Sequence, residues 1–164
     1  MSVKQISVFL ENKPGALSDM TQVLADNGID MRAFSLAETS DFGIARVIVD
    51  DLYKTTTVLK DAGFVHSVSS VLAVAIPDVP GGLSQVLAVL RDENINVEYM
   101  YAFLGGKANS AYMIFKVRGH HQAAAAMTAK GIRLVDQEEL SELYRSLPSK
   151  VCFRSLSMGC INFL

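Results

Sequence analysis

The sequence contains little cysteine and proline, no tryptophan and no long apolar run. Its 164 residues include two cysteines and four prolines. Cys152 and Cys160 both lie near the C-terminus, so disulfides cannot hold the rest of the chain together. No apolar run approaches the roughly 18 residues of a membrane helix, and residues 1–11 lack the layout of a signal peptide. The net charge of -2 does not indicate a basic surface that would bind nucleic acid or an anionic membrane. We therefore expect a cytoplasmic protein without either partner.

Motifs for catalysis, metal binding and cofactor binding are also missing. His120 and His121 are adjacent, so on a helix they point about 100° apart and cannot face one metal ion. His66 has no cysteine or acidic neighbour in its strand, and the two cysteines fit no common zinc spacing. Residues 105–107 (Gly-Gly-Lys) lack the leading glycine and the following Ser or Thr of a phosphate loop. The sequence therefore predicts no enzyme activity, no metal site and no cofactor.

The sequence does contain an internal duplication. Residues 14–18 (Pro-Gly-Ala-Leu-Ser) recur as residues 80–84 (Pro-Gly-Gly-Leu-Ser), 66 positions later. Without a gap, residues 47–49 fall on residues 113–115, and apolar residues match apolar residues over most of this length. A 66-residue period is too long for a solenoid unit and fits one small domain. The chain is therefore predicted to hold two copies of one domain.

Each copy shows the same order of secondary-structure patterns. Alternation and turn residues predict strands over 4–10, 29–37, 44–49, 65–71, 72–76, 95–104, 111–117 and 132–135. Helices are predicted over 14–28, 52–62, 80–94, 120–129 and 137–147, with Pro14 at the first helical position. Gly28 and its counterpart Asn94 are predicted to end the first helix of each copy in the left-handed conformation.

This order indicates an α+β fold with two ferredoxin-like βαββαβ domains, each an antiparallel sheet with helices on one face. We place the domains at residues 3–70 and 71–147, followed by a tail at 148–164 that matches neither copy. Strands such as residues 99–104 are apolar on both faces, so something must cover the sheet face without helices. The other copy and a second chain, in a homodimer, are both expected covers.

Four polar positions are duplicated together with the Pro-Gly motif. Asn12 and Asp78 precede it, and Asp30 and Asn96 precede the second strand of each copy. A helix start offers unpaired N–H groups and a positive dipole end for a carboxylate. Amide and carboxylate oxygens accept hydrogen bonds from an ammonium group. Together these groups would suit a free α-amino acid, while the alternative is that Asn12 and Asp78 only cap a turn.

The combination of (Asn/Asp)-x-Pro-Gly-(Ala/Gly)-Leu with (Gly/Asn)-Ile-(Asp/Asn) in a βαββαβ unit resembles the ACT domain. The resemblance covers both copies. The sequence is similar to stand-alone tandem ACT proteins, which sense amino acids and lack a catalytic domain. It implies a non-catalytic regulatory protein that binds an amino acid at an ACT–ACT interface. The alternative is a ligand-free structural or regulatory subunit of an enzyme of amino-acid metabolism.

The resemblance also nominates ligand-binding positions in both copies. Carried over by position, they are Asn12, Pro14, Gly15, Ala16, Leu17 and Asp30, with Asp78, Pro80, Gly81, Gly82, Leu83 and Asn96. Lys13 and Val79 differ at the loop, so the two sites need not be equivalent. The resemblance further implies a homodimer and a metabolic enzyme as a possible partner.

Overall fold

A computed structural model describes residues 2–38, 41–103 and 110–145. Its elements in chain order are β1 Val3–Glu11, α1 Ala16–Asp26, β2 Met31–Glu38, β3 Phe42–Val49, α2 Leu52–Asp61, β4 His66–Pro77, α3 Gly82–Asp92, β5 Val97–Phe103, β6 Ser110–Val117, α4 His120–Ala129, β7 Arg133–Val135 and α5 Gln137–Arg145. This order contains the predicted βαββαβ pattern twice. The predicted residues 104, 146 and 147, and the tail, lie outside the described residues.

One strand belongs to both copies. β1 pairs with residues 66–71 of β4, and β6 and β7 pair with the following residues of the same strand. The described strands therefore form one sheet in the order β2-β3-β1-β4-β6-β5, with β7 also on β4. All pairings are antiparallel, as predicted. β4 runs through residue 70 without a break, so our division of the chain at that residue stays a proposal.

Successive side chains along each strand point to opposite faces of the sheet, so one set faces the helices and the other set faces the second half-sheet. Ile6, Val8 and Leu10 of β1 face α1 and α2 in one core, where they pack with Met20 and Leu24. The matching residues of β4 form an equivalent core with α3 and α4 in copy two, including Leu72, Val74, Ile76, Val86 and Leu90. Each helix pair thus covers one face of its own half of the sheet.

The opposite faces of the two half-sheets pack against each other. A third core joins Val3 and Ile48 of copy one to Tyr112 and Ile114 of copy two, and Leu140 of α5 belongs to it. The sheet bends at β4, and the layers run helix, sheet, sheet, helix. The copies therefore cover each other's bare faces, which explains why their strands are apolar on both sides.

The ends of the first helix in each copy follow the predicted chemistry. Gly28 after α1 has φ 63°, and Asn94 after α3 has φ 54°, so both adopt the predicted left-handed conformation. The predicted position of Pro14 is wrong, because α1 begins two residues later at Ala16. Gly15 has φ 90° just before the helix, a conformation that suits glycine, and Pro14 lies in the turn that leads to it.

The ungapped alignment of the copies also needs a correction in the third strand. Ile6 opposes Val47 in copy one, whereas the equivalent Leu72 opposes Phe115 in copy two. Val47 therefore corresponds to Phe115 and not to Met113, because the connection before β6 is two residues longer than the one before β3. A shift of two residues leaves every side chain on the same face of the strand. This parity is why apolar residues still matched apolar residues in the ungapped alignment.

Candidate functional site

A groove of about 540 Å³ opens in copy one where β1 ends and α1 begins. The start of β3 and the turn between α2 and β4 complete its walls. Phe64 from this turn lines the groove and also packs against the helix-side core of copy one. The groove therefore lies at the loop that contains the first Pro-Gly motif, and its volume falls in the range of small-molecule sites.

Large apolar side chains line this groove and remain in contact with solvent. Phe9 of β1 is 41% exposed, Phe42 of β3 is 45% exposed and Val65 before β4 is 69% exposed. The N–H of Phe9 donates to the carbonyl of Val65 at 2.9 Å, so two of these residues are fixed side by side by backbone pairing. Clustered apolar surface of this kind marks a binding region more often than scattered single residues do.

Three charged side chains line the same groove. Lys13 forms an ion pair with Glu11, and Asp19 lies in the first turn of α1. The hydrogen bond from Lys13 lowers the pKa of the Glu11 carboxyl, and the same hydrogen bond raises the pKa of the Lys13 ammonium. Both groups therefore remain charged at neutral pH, and the groove carries two carboxylates and one ammonium group.

The start of α1 borders the same corner, because Ala16 and Asp19 line the groove. The helix cap at Gly15 makes no side-chain hydrogen bond. Ala16, which lines the groove, donates its N–H to the carbonyl of Lys13, and the N–H of Asp19 donates to the carbonyl of Gly15. The first-turn N–H groups between them have no partner within the helix, and a helix start of this kind can bind an anionic group.

Copy two does not reproduce this chemistry at the equivalent corner. Pro77, Val79 and Gln85 occupy the positions of Glu11, Lys13 and Asp19, so all three charges are lost. The corner is also tighter there. Gly82 is buried, and a Cβ atom at this position would lie 2.3 Å from the carbonyl oxygen of Pro77. The equivalent residue in copy one is Ala16, which does carry a Cβ atom. The two copies therefore differ in space as well as in charge.

The nominated residues of the Pro-Gly loops are distributed unevenly between surface and core. Asn12, Pro14 and Gly15 are exposed in copy one, as are Asp78, Pro80 and Gly81 in copy two. Leu17 and Leu83 are half-buried and pack against the helix-side core of their own copy. Of the nominated set, Ala16 lines the groove directly.

The remaining nominated residues do not join the loops within either copy. Asn12 donates its N–H to the carbonyl of Asp41, just before β3, whereas Asp30 precedes Met31, which opposes Val49 at the end of β3. The eight-residue strand β3 separates them by roughly 23 Å. A pocket that joins Asn12 to Asp30 within one copy is therefore excluded, and a shared pocket would need a second copy or chain.

The same separation holds in copy two. Asp78 follows Pro77, which opposes Ser110 at the start of β6, and Asn96 precedes Val97, which opposes Val117 at its end. The cause is the βαβ topology: the second strand begins at the end of the sheet where the first strand began, and the helix between them spans the full sheet.

The end of the sheet near Asp30 carries ion pairs whose signs are reversed between the copies. Arg32 pairs with Asp30 at 3.1 Å and with Asp50 at 3.9 Å. In copy two, Glu98 occupies the position of Arg32 and pairs with Arg118 at 3.3 Å. Asp30 therefore already has a cationic partner in its own chain.

Comparison with known proteins identifies the family. The family model described as "ACT domain pair" matches residues 1–144. This chain belongs to the ACT domain pair family. Both the resemblance and the fold inferred from the sequence are confirmed.

Solved structures with the same architecture include several regulatory proteins. Protein BT0572 from Bacteroides thetaiotaomicron is 37% identical, with a TM-score of 0.81, and the match covers 87% of this chain and 98% of that one. The regulatory subunit of aspartate kinase from Thermus thermophilus is 17% identical, with a TM-score of 0.60 and coverage of 78% and 90%. The corresponding subunit from Thermus flavus is 16% identical, with a TM-score of 0.52 and coverage of 77% and 90%. A search of curated proteins gave no match.

Between the two ACT domains lies a polar network that sequence reasoning missed. Gln5 is fully buried, and its Nε2 donates to Tyr99 Oη at 2.7 Å and to Ser7 Oγ at 3.2 Å. Tyr101 Oη donates to Gln5 Oε1 at 2.9 Å. The guanidinium of Arg46 lies 4.0 Å from the centre of the Tyr99 ring. Gln5 therefore links the two half-sheets of the ACT pair through hydrogen bonds that are buried on the Gln5 side and partly buried at the tyrosines.

The described part of the ACT pair contains no helix that is both long enough and apolar enough to span a bilayer.

Proposed function

We propose that this ACT domain pair is a non-catalytic sensor of a free amino acid, and that the amino acid binds in the groove of copy one. The observation that carries this proposal is the open groove beside the uncapped start of α1. An α-amino acid carries one carboxylate and one ammonium group, and the groove offers partners for both. Lys13 and the first-turn N–H groups suit the carboxylate, while Asp19 and Glu11 suit the ammonium.

We further propose that binding is asymmetric between the copies. The corner of copy two lacks the three charged side chains, and its helix begins against the carbonyl of Pro77. A ligand held through charge-assisted hydrogen bonds would lose those contacts there. Copy two then serves as the structural half of the sensor, and it holds copy one through the shared core and the Gln5 network.

A homodimer would complete the site with Asp30. Because Asn12 and Asp30 lie at opposite ends of copy one, a second chain related by a two-fold axis can bring them together. β2 lies at the edge of the described sheet. Antiparallel pairing of two β2 edges would place the Asn12 end of one copy beside the partner's Asp30. A pocket built this way holds one carboxamide and one carboxylate for the ammonium group.

Such a dimer would also supply the regulatory response. A ligand that touches both chains favours the paired arrangement by the difference in its affinity for the paired and unpaired states. The changed pairing would then be read by another protein, and an enzyme of amino-acid metabolism is the partner class that we propose. The alternative function is a ligand-free structural or regulatory subunit of such an enzyme.

Thermal unfolding of the full chain with each of the twenty amino acids tests the sensor proposal. A sensor must be stabilised by at least one of them, because a ligand that binds only the folded state raises the free energy of unfolding. Asp19→Ala should abolish this stabilisation. Gln85→Ala, the matched control at the equivalent exposed position of copy two, should leave it unchanged. If no amino acid stabilises the chain, the sensor proposal fails and the ligand-free subunit is the better reading.

A further inference from the structure

The groove of copy one also restricts which amino acids can bind, an inference that rests on the proposed sensor function. Phe9, Phe42 and Val65 present three apolar side chains to the same space. A short polar side chain such as that of serine would leave this surface in water. A bulky apolar side chain would cover it, and the gain grows with the apolar area removed from water.

The size of the groove agrees with this restriction. A volume of about 540 Å³ leaves room for the bulkiest amino-acid side chains, whereas a small ligand would leave more of the groove filled with water. Shape complementarity and water exclusion both improve when the ligand extends from the charged end, at Lys13 and Asp19, to the apolar end, at Val65. The arrangement is therefore a zwitterion-binding end followed by an apolar slot.

The charges argue against the main competing class, the dibasic amino acids. Glu11 is already paired with Lys13, and this pairing raises the pKa of Lys13, with a smaller contribution from the charge of Asp19. The α-ammonium group of the ligand would then occupy the hydrogen-bond acceptors that remain on Asp19. Glu11 lies opposite Phe42 across β1 and β3, but Lys13 already pairs with it, so a second cation on the ligand would have to displace Lys13.

We propose that the ligand is an L-amino acid with a bulky apolar side chain, of the phenylalanine, leucine or methionine type. Its side chain packs against Phe9, Phe42 and Val65, and its α-ammonium and α-carboxylate groups bind at the start of α1.

Calorimetric titration of the full chain with phenylalanine, leucine, alanine, threonine and lysine tests the proposal. Phenylalanine or leucine should bind at least tenfold more tightly than alanine, threonine or lysine, since each buried methylene group adds to the affinity. Phe9→Ala and Phe42→Ala should each weaken binding of the apolar ligand by roughly tenfold. Val79→Ala should not weaken it, because this exposed residue occupies the equivalent loop of copy two.

Val65→Ser serves as a second probe if an aromatic variant fails to fold. Val65 is the most exposed of the three residues, so the folded chain should tolerate the change. The proposal is overturned if alanine, threonine or lysine binds as tightly as phenylalanine and leucine, although the sensor function would then stand. It is also overturned if the apolar ligand binds all three groove variants as tightly as the parent protein. If none of the twenty amino acids binds, the sensor function itself fails.

Discussion

Gln5→Leu should destabilise the ACT pair although the substitution keeps a large side chain in place. Gln5 is fully buried and makes three side-chain hydrogen bonds, two of them to phenols of the other domain. Leucine fills similar space but leaves the hydroxyl groups of Tyr99 and Tyr101 without this partner. Burial raises the pKa of the Tyr101 phenol well above its usual range, so its hydroxyl stays protonated as a donor.

The expected loss in the free energy of unfolding comes from the two tyrosine hydroxyl groups that lose their hydrogen bond to Gln5. An unsatisfied buried hydroxyl costs about 1–3 kcal/mol, and both rings are only partly buried, which favours the lower half of that range. Together they predict a loss of about 2–4 kcal/mol in the free energy of unfolding, or roughly 4–16 °C in Tm for a chain of this length.

Urea unfolding of single and combined variants can separate the hydrogen bonds from simple packing. Adding Tyr99→Phe and Tyr101→Phe to the Gln5→Leu background should recover about 1–2 kcal/mol, because a fully apolar replacement removes the unpaired groups. Gln85→Ala, at an exposed glutamine, should change stability by less than about 0.5 kcal/mol. A Gln5→Leu protein as stable as the parent, or further loss on adding the phenylalanines, would refute this account of the interface.

Three further results are expected. Gly82→Ala should lower the free energy of unfolding in urea by about 1–3 kcal/mol, because its Cβ would clash with a backbone carbonyl. Ala16→Gly should cost at most about 1 kcal/mol. Equal losses would contradict the tighter packing that we describe at the helix start of copy two. Burial lowers the pKa of His120 from its usual 6.5, so its contribution to stability is present above that pH and is lost as the pH falls. His120→Gln should therefore flatten the decline in urea stability between about pH 7 and about pH 5, and an unchanged pH profile would exclude this role. Asp30→Asn should weaken calorimetric binding of the amino acid by roughly 1.5–3 kcal/mol if the two-fold pocket forms; full affinity would remove Asp30 from the site.

The candidate site was only partly predictable. Its loop is formed by one short sequence motif, whereas the walls of the groove come from segments that are far apart in the sequence. The Pro-Gly motif identified the loop before α1 and, with it, Ala16. Phe9, Phe42 and Val65 come from three separate segments. The sequence predicts Phe9 and Val65 as ordinary strand residues and places Phe42 in the turn before the strand at 44–49. One available signal was that Phe9 falls between the residues Val8 and Leu10 of β1, which face the helix-side core.

The amino-acid sequence by itself determined the features that depend on near neighbours. The duplication, the type of each element and the left-handed helix ends at Gly28 and Asn94 were all readable, because steric limits on φ and side-chain periodicity act within a few residues. The same local rules predicted that both faces of the strands are buried.

Only the tertiary structure decided how distant residues meet. Gln5 and Tyr99 are 94 residues apart, and their contact depends on the bend at β4 and on the packing of the two half-sheets. The separation of Asn12 from Asp30 likewise follows from the direction of β2 along the sheet, and not from the identity of either residue. Such contacts are set by topology and strand register, and a short sequence motif contains neither, because both emerge when the cores of the two copies pack together.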